Sequence, residues 1–239
     1  MRFLILFLIS ININAAVVTL LDNTDGATAS ASKYTQTLSS DRWGGYSFRL
    51  NDNSTPTYEV NSITGIFWQQ EGGPSTDLGL TIQLLEASNQ GGVYKPSSLP
   101  IASMTFDMID VPESKATAQY YTFNLNSNFS IDTNKDYVFT LGNVTGLTGT
   151  SKLVWAQTEV HKWPDHYSEA GGFMHNHIRS TSSGEYWTGA TGSKPSFFLN
   201  GTAMSAVPEP HEYALIAGLG LLAFGFYRKK SVKAINESI

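Results

Sequence analysis

The sequence contains no cysteine. Its absence excludes disulfide staples, thiol catalysis and cysteine-ligated metal, so the fold must rest on its own apolar core. Charge is also scarce: Asp, Glu, Lys and Arg together make up 15% of the 239 residues. Basic side chains are rarest between residues 16 and 207, where 10 stand against 17 acids, a net −7 compared with −5 for the whole chain. An acidic body repels phosphate backbones, which leaves nucleic acid without support as a partner. Several motifs are missing as well. There is no HExxH pair, no G-x-S-x-G elbow and no repeat at a fixed period, so the text offers no zincin, no hydrolase nucleophile, no propeller and no solenoid. Outside the carboxyl end, no stretch shows a 3.6-residue apolar period.

What the chain does have is aromatic and β-branched residues set among polar turns, including 13 Phe and 11 Tyr. Alternation with period two recurs in separate segments. Leu80, Ile82 and Leu84 share a face opposite Thr81 and Gln83, and Tyr121, Phe123 and Leu125 oppose Thr122 and Asn124. Tyr137, Phe139 and Leu141 do the same, with Thr140 turned outward. Successive side chains of a strand point to opposite faces, so this pattern predicts strands. Further strands are predicted at 46–50, 58–68, 103–108, 153–160, 172–178 and 196–200. Turns are predicted at Asn51–Ser54, Glu71–Pro74, Asn89–Gly92 and Asp132–Lys135. Nine to eleven such strands without interleaved helices predict an all-β fold, an antiparallel β-sandwich of jelly-roll-like type, over residues 16–203.

The two ends differ from this body. Residues 1–15 read MRFLILFLISININA: a positive start at Arg2, a short apolar run, and small residues at Ala15 and Ala16. The run is too short to span a bilayer and has the flanks of a secretory signal peptide, with cleavage expected after Ala15 or Ala16. At the other end, residues 213–227 are uncharged and almost wholly apolar, with Arg228, Lys229 and Lys230 directly after them. Fifteen helical residues reach about 22 Å, short of the ~30 Å hydrocarbon core, and such a helix inserts by snorkelling or local thinning. The basic cluster is expected to hold residues 228–239 in the cytoplasm, leaving the sandwich outside. Residues 204–212 form the linker between body and helix.

Within that linker stand Val207, Pro208, Glu209 and Pro210. Each proline fixes its own φ, removes a backbone donor and restrains the residue before it, so the segment is expected to stay extended. The tetrad, the short Gly-rich apolar helix and the Arg-Lys-Lys cluster, in that order behind a signal peptide, resemble the PEP-CTERM sorting signal. The nine residues after Lys230 are longer than that tail's usual end. The resemblance implies a Gram-negative host, processing near Pro-Glu-Pro by the membrane protease exosortase, and passage to the cell surface or extracellular matrix. It also implies a transient stay in the membrane, and recognition of Glu209. The body resembles the choice-of-anchor exported domains, type R. The carrying stretches are LTIQLLEASNQGGVYKPSSLPIASMTF (80–106), YYTFNLNSNFSIDTNKDYVFTLGN (120–143), KLVWAQT (152–158) and the closing PSFFLNGTA. That resemblance implies a sandwich and names no activity.

Three constellations bear on chemistry. His161, His166, His175 and His177 crowd one segment with Asp165 and Glu169. His175 and His177, two apart, would project from one strand face and could share a divalent ion. Without a known spacing signature, no cofactor is expected. Glu71, Glu86, Glu159, Glu169 and Glu185 include no pair that a motif singles out for glycoside hydrolysis, so no enzyme is expected. Trp43, Trp163 and Trp187 lie beside Gly, Pro or Thr and are expected to be exposed, as sugar-stacking rings would be, whereas Trp68 and Trp155 are expected in the core. The leading expectation is an exported, non-catalytic surface or matrix protein, dependent on exosortase and the secretion machinery. The alternative is a carbohydrate-binding module taking exopolysaccharide.

Overall fold

The computed structural model describes residues 16–24, 35–53, 55, 57–70, 77–97, 99–156, 168–189, 195–204 and 218–226. Residues 1–15, with Ala15, lie outside them, as do His161, Trp163, His166, the Val207–Pro210 tetrad and the Arg228–Lys230 cluster. The chain divides into two compact units, Met1–Met204 and Ser205–Ile239.

The first unit is built of antiparallel strands: β1 (Val17–Asp22), β2 (Thr35–Leu38), β3 (Trp43–Arg49), β4 (Thr57–Gln70), β5 (Leu78–Gln90), β6 (Val93–Pro96), β7 (Ala102–Met108), β8 (Gln119–Asn124), β9 (Ser130–Asp132), β10 (Asp136–Thr145), β11 (Lys152–Ala156), β12 (Phe173–Ser180), β13 (Thr188–Gly189) and β14 (Phe197–Ala203). They form two seven-stranded sheets in a sandwich-like arrangement. In the first, the long β4 is the spine. Its residues 62–65 pair with β14 and also with β8, so these two strands flank it on opposite edges, with β1 beyond β14. β11 and then β2 continue the sheet, and β9 pairs near the start of β4. In the second sheet the order is β13-β12-β3-β10-β5-β6, with β7 on β5.

One contiguous core lies between the sheets. It takes Ile63, Phe67, Phe123, Trp155 and Phe197 from the first sheet, and Tyr46, Phe48, Ile82, Leu84, Phe139 and Leu141 from the second. The predicted faces supply it: Leu80, Ile82 and Leu84 are fully buried, as are Tyr137, Phe139 and Leu141 within a few percent. Phe139 is stacked on Phe48 at 5.7 Å and is nearly parallel to Phe129 at 6.4 Å. Two of the polar groups drawn inside are paired. The Tyr46 hydroxyl donates to the Pro195 carbonyl, and Trp155 Nε1 donates to the Ser196 carbonyl. That pairing avoids the cost of burying an unsatisfied donor.

Each predicted strand is found, although only 153–156 of the segment 153–160 is described. Of the missed ones, β2, β6, β9 and β13 run two to four residues, too few for alternation to register, and β1 reads VVTLLD, where a register shift between Thr19 and Leu21 breaks the period of two. Two turns follow their chemistry. Gly91 and Gly92 both take positive φ between β5 and β6, where a two-residue hairpin requires it. Asn134, at φ 66°, lets the chain turn from β9 into β10. Two expectations are corrected. Thr140 does not reach solvent: it is fully buried on the far side of its sheet from the core, its methyl set against Gly45. Trp68 is half-buried and packs in a small outer cluster with Ile66, Ala118 and Ala156.

In the second unit, residues 218–226 are helical. Among the described residues, no helix is long and apolar enough to cross a membrane.

Candidate binding cleft

Trp43 opens β3 and pairs with Ser180 on β12. On its other side the register brings it beside Gly142 of β10. A Cβ at Gly142 would run into the Trp43 indole, so a glycine there is what lets the ring lie down on the sheet. The ring is only 6% exposed, and its Nε1 is buried with no acceptor among the described residues. Trp43 therefore does not stand free in solvent as expected.

One wall of the space beside it is the turn after β12. There the Ser180 hydroxyl accepts from the Ser182 and Gly184 amides, the Ser182 hydroxyl accepts from the Tyr186 amide, and the Ser183 amide donates to the Asp41 carbonyl. Gly184 sits at φ 86° and has both indoles as neighbours: a Cβ there would lie 3.8 Å from Trp187 and 4.0 Å from Trp43. Trp187 is half-buried and leads into β13. The opposite wall is the segment between β6 and β7. The Ser97 amide donates to Glu86 and the Ile101 amide to Leu84, which carries Pro96, Leu99 and Pro100 over β5. Gln83 and Leu85 form the floor. Together these residues enclose about 440 Å³, within the range of small-ligand sites. Leu99 is 86% exposed at the rim, and Glu185 is the one charged residue lining the space among those described.

The structure thus joins two of the three tryptophans read from the sequence, and Trp163 lies outside the described residues. Sequence reasoning missed Gln83, Leu85, Pro96, Leu99 and Pro100. A signal was present in Leu99 and Pro100, an apolar pair in an otherwise polar turn, which alternation does not explain.

The histidines are arranged differently from the expectation. A β-bulge between Met174 and Asn176 interrupts the pairing of β12 with β3, and such an extra residue reverses the facing of everything after it. His177 consequently enters the core side, 4.9 Å from the Tyr46 ring, while His175 stacks on Tyr94 at 3.7 Å. The two rings do not share a face. His175 Nε2 lies 2.6 Å from Asp136 Oδ1, and Asp136 is gripped at both oxygens by Arg49, at 2.8 and 2.6 Å. Burial lowers the His175 pKa despite the pull of Asp136. Burial also opposes ionisation of Asp136, but the Arg49 and His175 hydrogen bonds outweigh it and hold its pKa below the usual value. Among the described residues, no three His, Asp or Glu side chains gather as a metal centre requires. The cluster acts as a clasp: Asn176 beside it accepts from the Tyr94 amide and donates to the Tyr94 carbonyl, tying β6 to β12. Of the carboxylates considered, Glu169 accepts from the Thr19 amide at 2.6 Å and Glu185 borders the cleft.

No family model matches the chain, and no curated protein does. Among solved structures, the structure of infectious bursal disease virus Gt strain is similar at 12% identity and a TM-score of 0.26, over 89% of this chain and 51% of that one. The chain spans about half the length of that neighbour.

Proposed function

We propose that this chain is an exported, non-catalytic surface or matrix protein: a jelly-roll-like sandwich sent out by residues 1–15 and sorted through a PEP-CTERM tail. The observation that carries this reading is the order of parts at the carboxyl end: Pro208-Glu209-Pro210, an apolar segment, then Arg228-Lys229-Lys230. The described helix of that segment adds support. Leu219, Leu221, Leu222, Phe224 and Phe226, all its large side chains, are exposed. An all-round apolar helix is at home in lipid or a large core. The membrane helix, the cytoplasmic basic end and the exosortase step belong to this proposal.

Export is tested by fusing alkaline phosphatase after Met204. The expected result is high periplasmic activity from the fusion and near-background activity once residues 1–15 are deleted. Equal activity from both fusions would refute export through this segment.

A second reading is favoured by the meeting of Trp43 and Trp187 at one cleft: the sandwich binds carbohydrate. A sugar presents C–H faces to aromatic rings and hydroxyls to polar groups such as Gln83. In affinity electrophoresis through gels containing laminarin, hydroxyethyl cellulose or galactomannan, Trp187→Ala is expected to lose about tenfold in affinity with an unchanged circular dichroism spectrum, an effect of about 1.4 kcal/mol. Equal retardation of wild type and variant would remove the cleft as the sugar site. Trp43→Ala is the poorer probe, because that ring is part of the packed sheet.

A further inference from the structure

We infer that the outer face of the first sheet holds a separate binding site, for a neutral polysaccharide chain lying across β1, β14, β4 and β8. A depression of about 470 Å³ spans these four strands. The register lines up its residues: Phe198 pairs with Thr64, Thr64 with Thr122, and Thr19 with Asn200. The outer faces of sandwiches ordinarily carry charged side chains into water. Here four adjacent strands present hydroxyls, an amide and two aromatic rings.

The floor is already organised. Thr64 is only 1% exposed, and its hydroxyl is hydrogen-bonded to that of Thr122 at 2.8 Å, which fixes both rotors. The Tyr120 and Phe198 rings stand 6.1 Å apart, tilted at 58°. At the β1 end, Asp22 Oδ1 accepts from both the amide and the hydroxyl of Thr24, each at 2.6 Å, so the carboxylate is engaged within its own turn. Burial, and then the nearby Asp22, raise the Tyr120 pKa, while a side-chain hydrogen bond with Thr24 ties its hydroxyl to the same end of the depression and lowers it.

The chemistry selects the ligand. Hydroxyl side chains donate and accept, as sugar hydroxyls do, and aromatic faces cover the C–H surfaces of pyranose rings. No Lys or Arg lines the depression among the described residues, so phosphate or sulfate groups would find no counter-charge there, and Asp22 disfavours uronates. With the Trp43–Trp187 cleft on the outer face of the other sheet, the core between them, one molecule would hold two chains and cross-link a neutral matrix.

The test uses the chain from residue 16 to 204 joined to its native tail, in affinity gels of laminarin, hydroxyethyl cellulose and galactomannan, with polygalacturonate as the acidic probe. Thr122 is exposed, so Thr122→Arg fills the depression without touching the core, and Phe198→Ala removes a ring. In a Trp187→Ala background, binding to at least one neutral glycan should persist and then fall about tenfold with Thr122→Arg. Polygalacturonate should be retarded more weakly than that glycan. If Trp187→Ala has no effect while Thr122→Arg abolishes binding, the cleft reading fails and this site stands. The site is overturned by residual binding indifferent to both Thr122→Arg and Phe198→Ala, by complete loss with Trp187→Ala alone, by stronger retention on polygalacturonate, or by no neutral glycan being bound.

Discussion

Replacing Pro208 and Pro210 together by Ala should leave the tail uncut. In a Gram-negative host that carries exosortase, the native protein is expected at the surface or in the medium, shortened by the residues after the motif. The double variant should stay in the inner-membrane fraction at full precursor mass minus the signal peptide. The reason is conformational. Between a packed strand ending at Ala203 and an apolar segment beginning at residue 213, two prolines deny the backbone both a ladder and a helix. With alanines in their place, the helix can propagate toward the sandwich, since Ala is the best helix former and Pro costs about 3 kcal/mol in a helix interior. Glu209→Gln separates the two requirements. It keeps the extended backbone and removes the charge, and it should also block processing if the resemblance to the sorting signal extends to recognition. Intact-mass spectrometry of each fraction reads the outcome. Processing of the double variant at the native position would refute the tail assignment.

Phe139→Ala should cost the sandwich about 3–5 kcal/mol, the range for aromatic truncation in a core that cannot collapse. A domain of this size has a total stability on the order of 5–15 kcal/mol, so the variant should unfold roughly 10 °C lower or fail to accumulate. The prediction rests on placement. Phe139 is 1% exposed in the middle of β10, flanked by β3 and β5, with Phe48 and Phe129 parallel to it on either side. Removing its ring opens a cavity beside both neighbours, with Tyr137 the ring left against Phe48. Phe139→Leu, which keeps most of the volume, should recover more than half of the loss. Thermal denaturation of residues 16–204 followed by circular dichroism compares the three proteins. A drop for Phe139→Ala no larger than that for Thr122→Arg on the outer face would show that this packing is not what holds the two sheets together.

Much of this architecture was legible in the linear text because its cause is local. Side chains alternate by the geometry of the extended backbone, so Leu80, Ile82 and Leu84, or Tyr137, Phe139 and Leu141, announce a strand and its buried face together. Pairs of glycines and an Asn at Asp132–Lys135 announce turns for equally local reasons. The short strands were not legible, because two to four residues contain too little alternation to be told from a loop. β6 illustrates the point. All four of its residues are half-buried; besides its ladder with β5 it is tied by Asn176, 82 positions from Tyr94.

The candidate site divides in the same way. Tryptophan was marked at positions 43 and 187 by composition and flanking residues alone, yet nothing local says that Gly184 draws the two rings to one cleft. The histidines were misread for a related reason. Period two places His175 and His177 on one face, and one bulged residue opposite Phe48 and Ser47 sends them to opposite sides. The outer depression on the first sheet was invisible for the same cause: Thr19, Thr64, Thr122 and Asn200 are each an ordinary outward residue of an ordinary strand.

The sequence by itself determined the longer strands, the faces they bring to the core, the acidic cysteine-free character of the body and the sharp change of composition at both ends. Those properties follow from backbone geometry and side-chain chemistry within a few neighbouring positions. Only the tertiary structure decided which strands lie side by side, that Trp43 is laid over Gly142, that His175 pairs with Asp136 while His177 turns inward, and that hydroxyls from four strands share one depression. These are matters of register between residues up to 185 positions apart, and register is set by the packing of the whole core, which no local window contains.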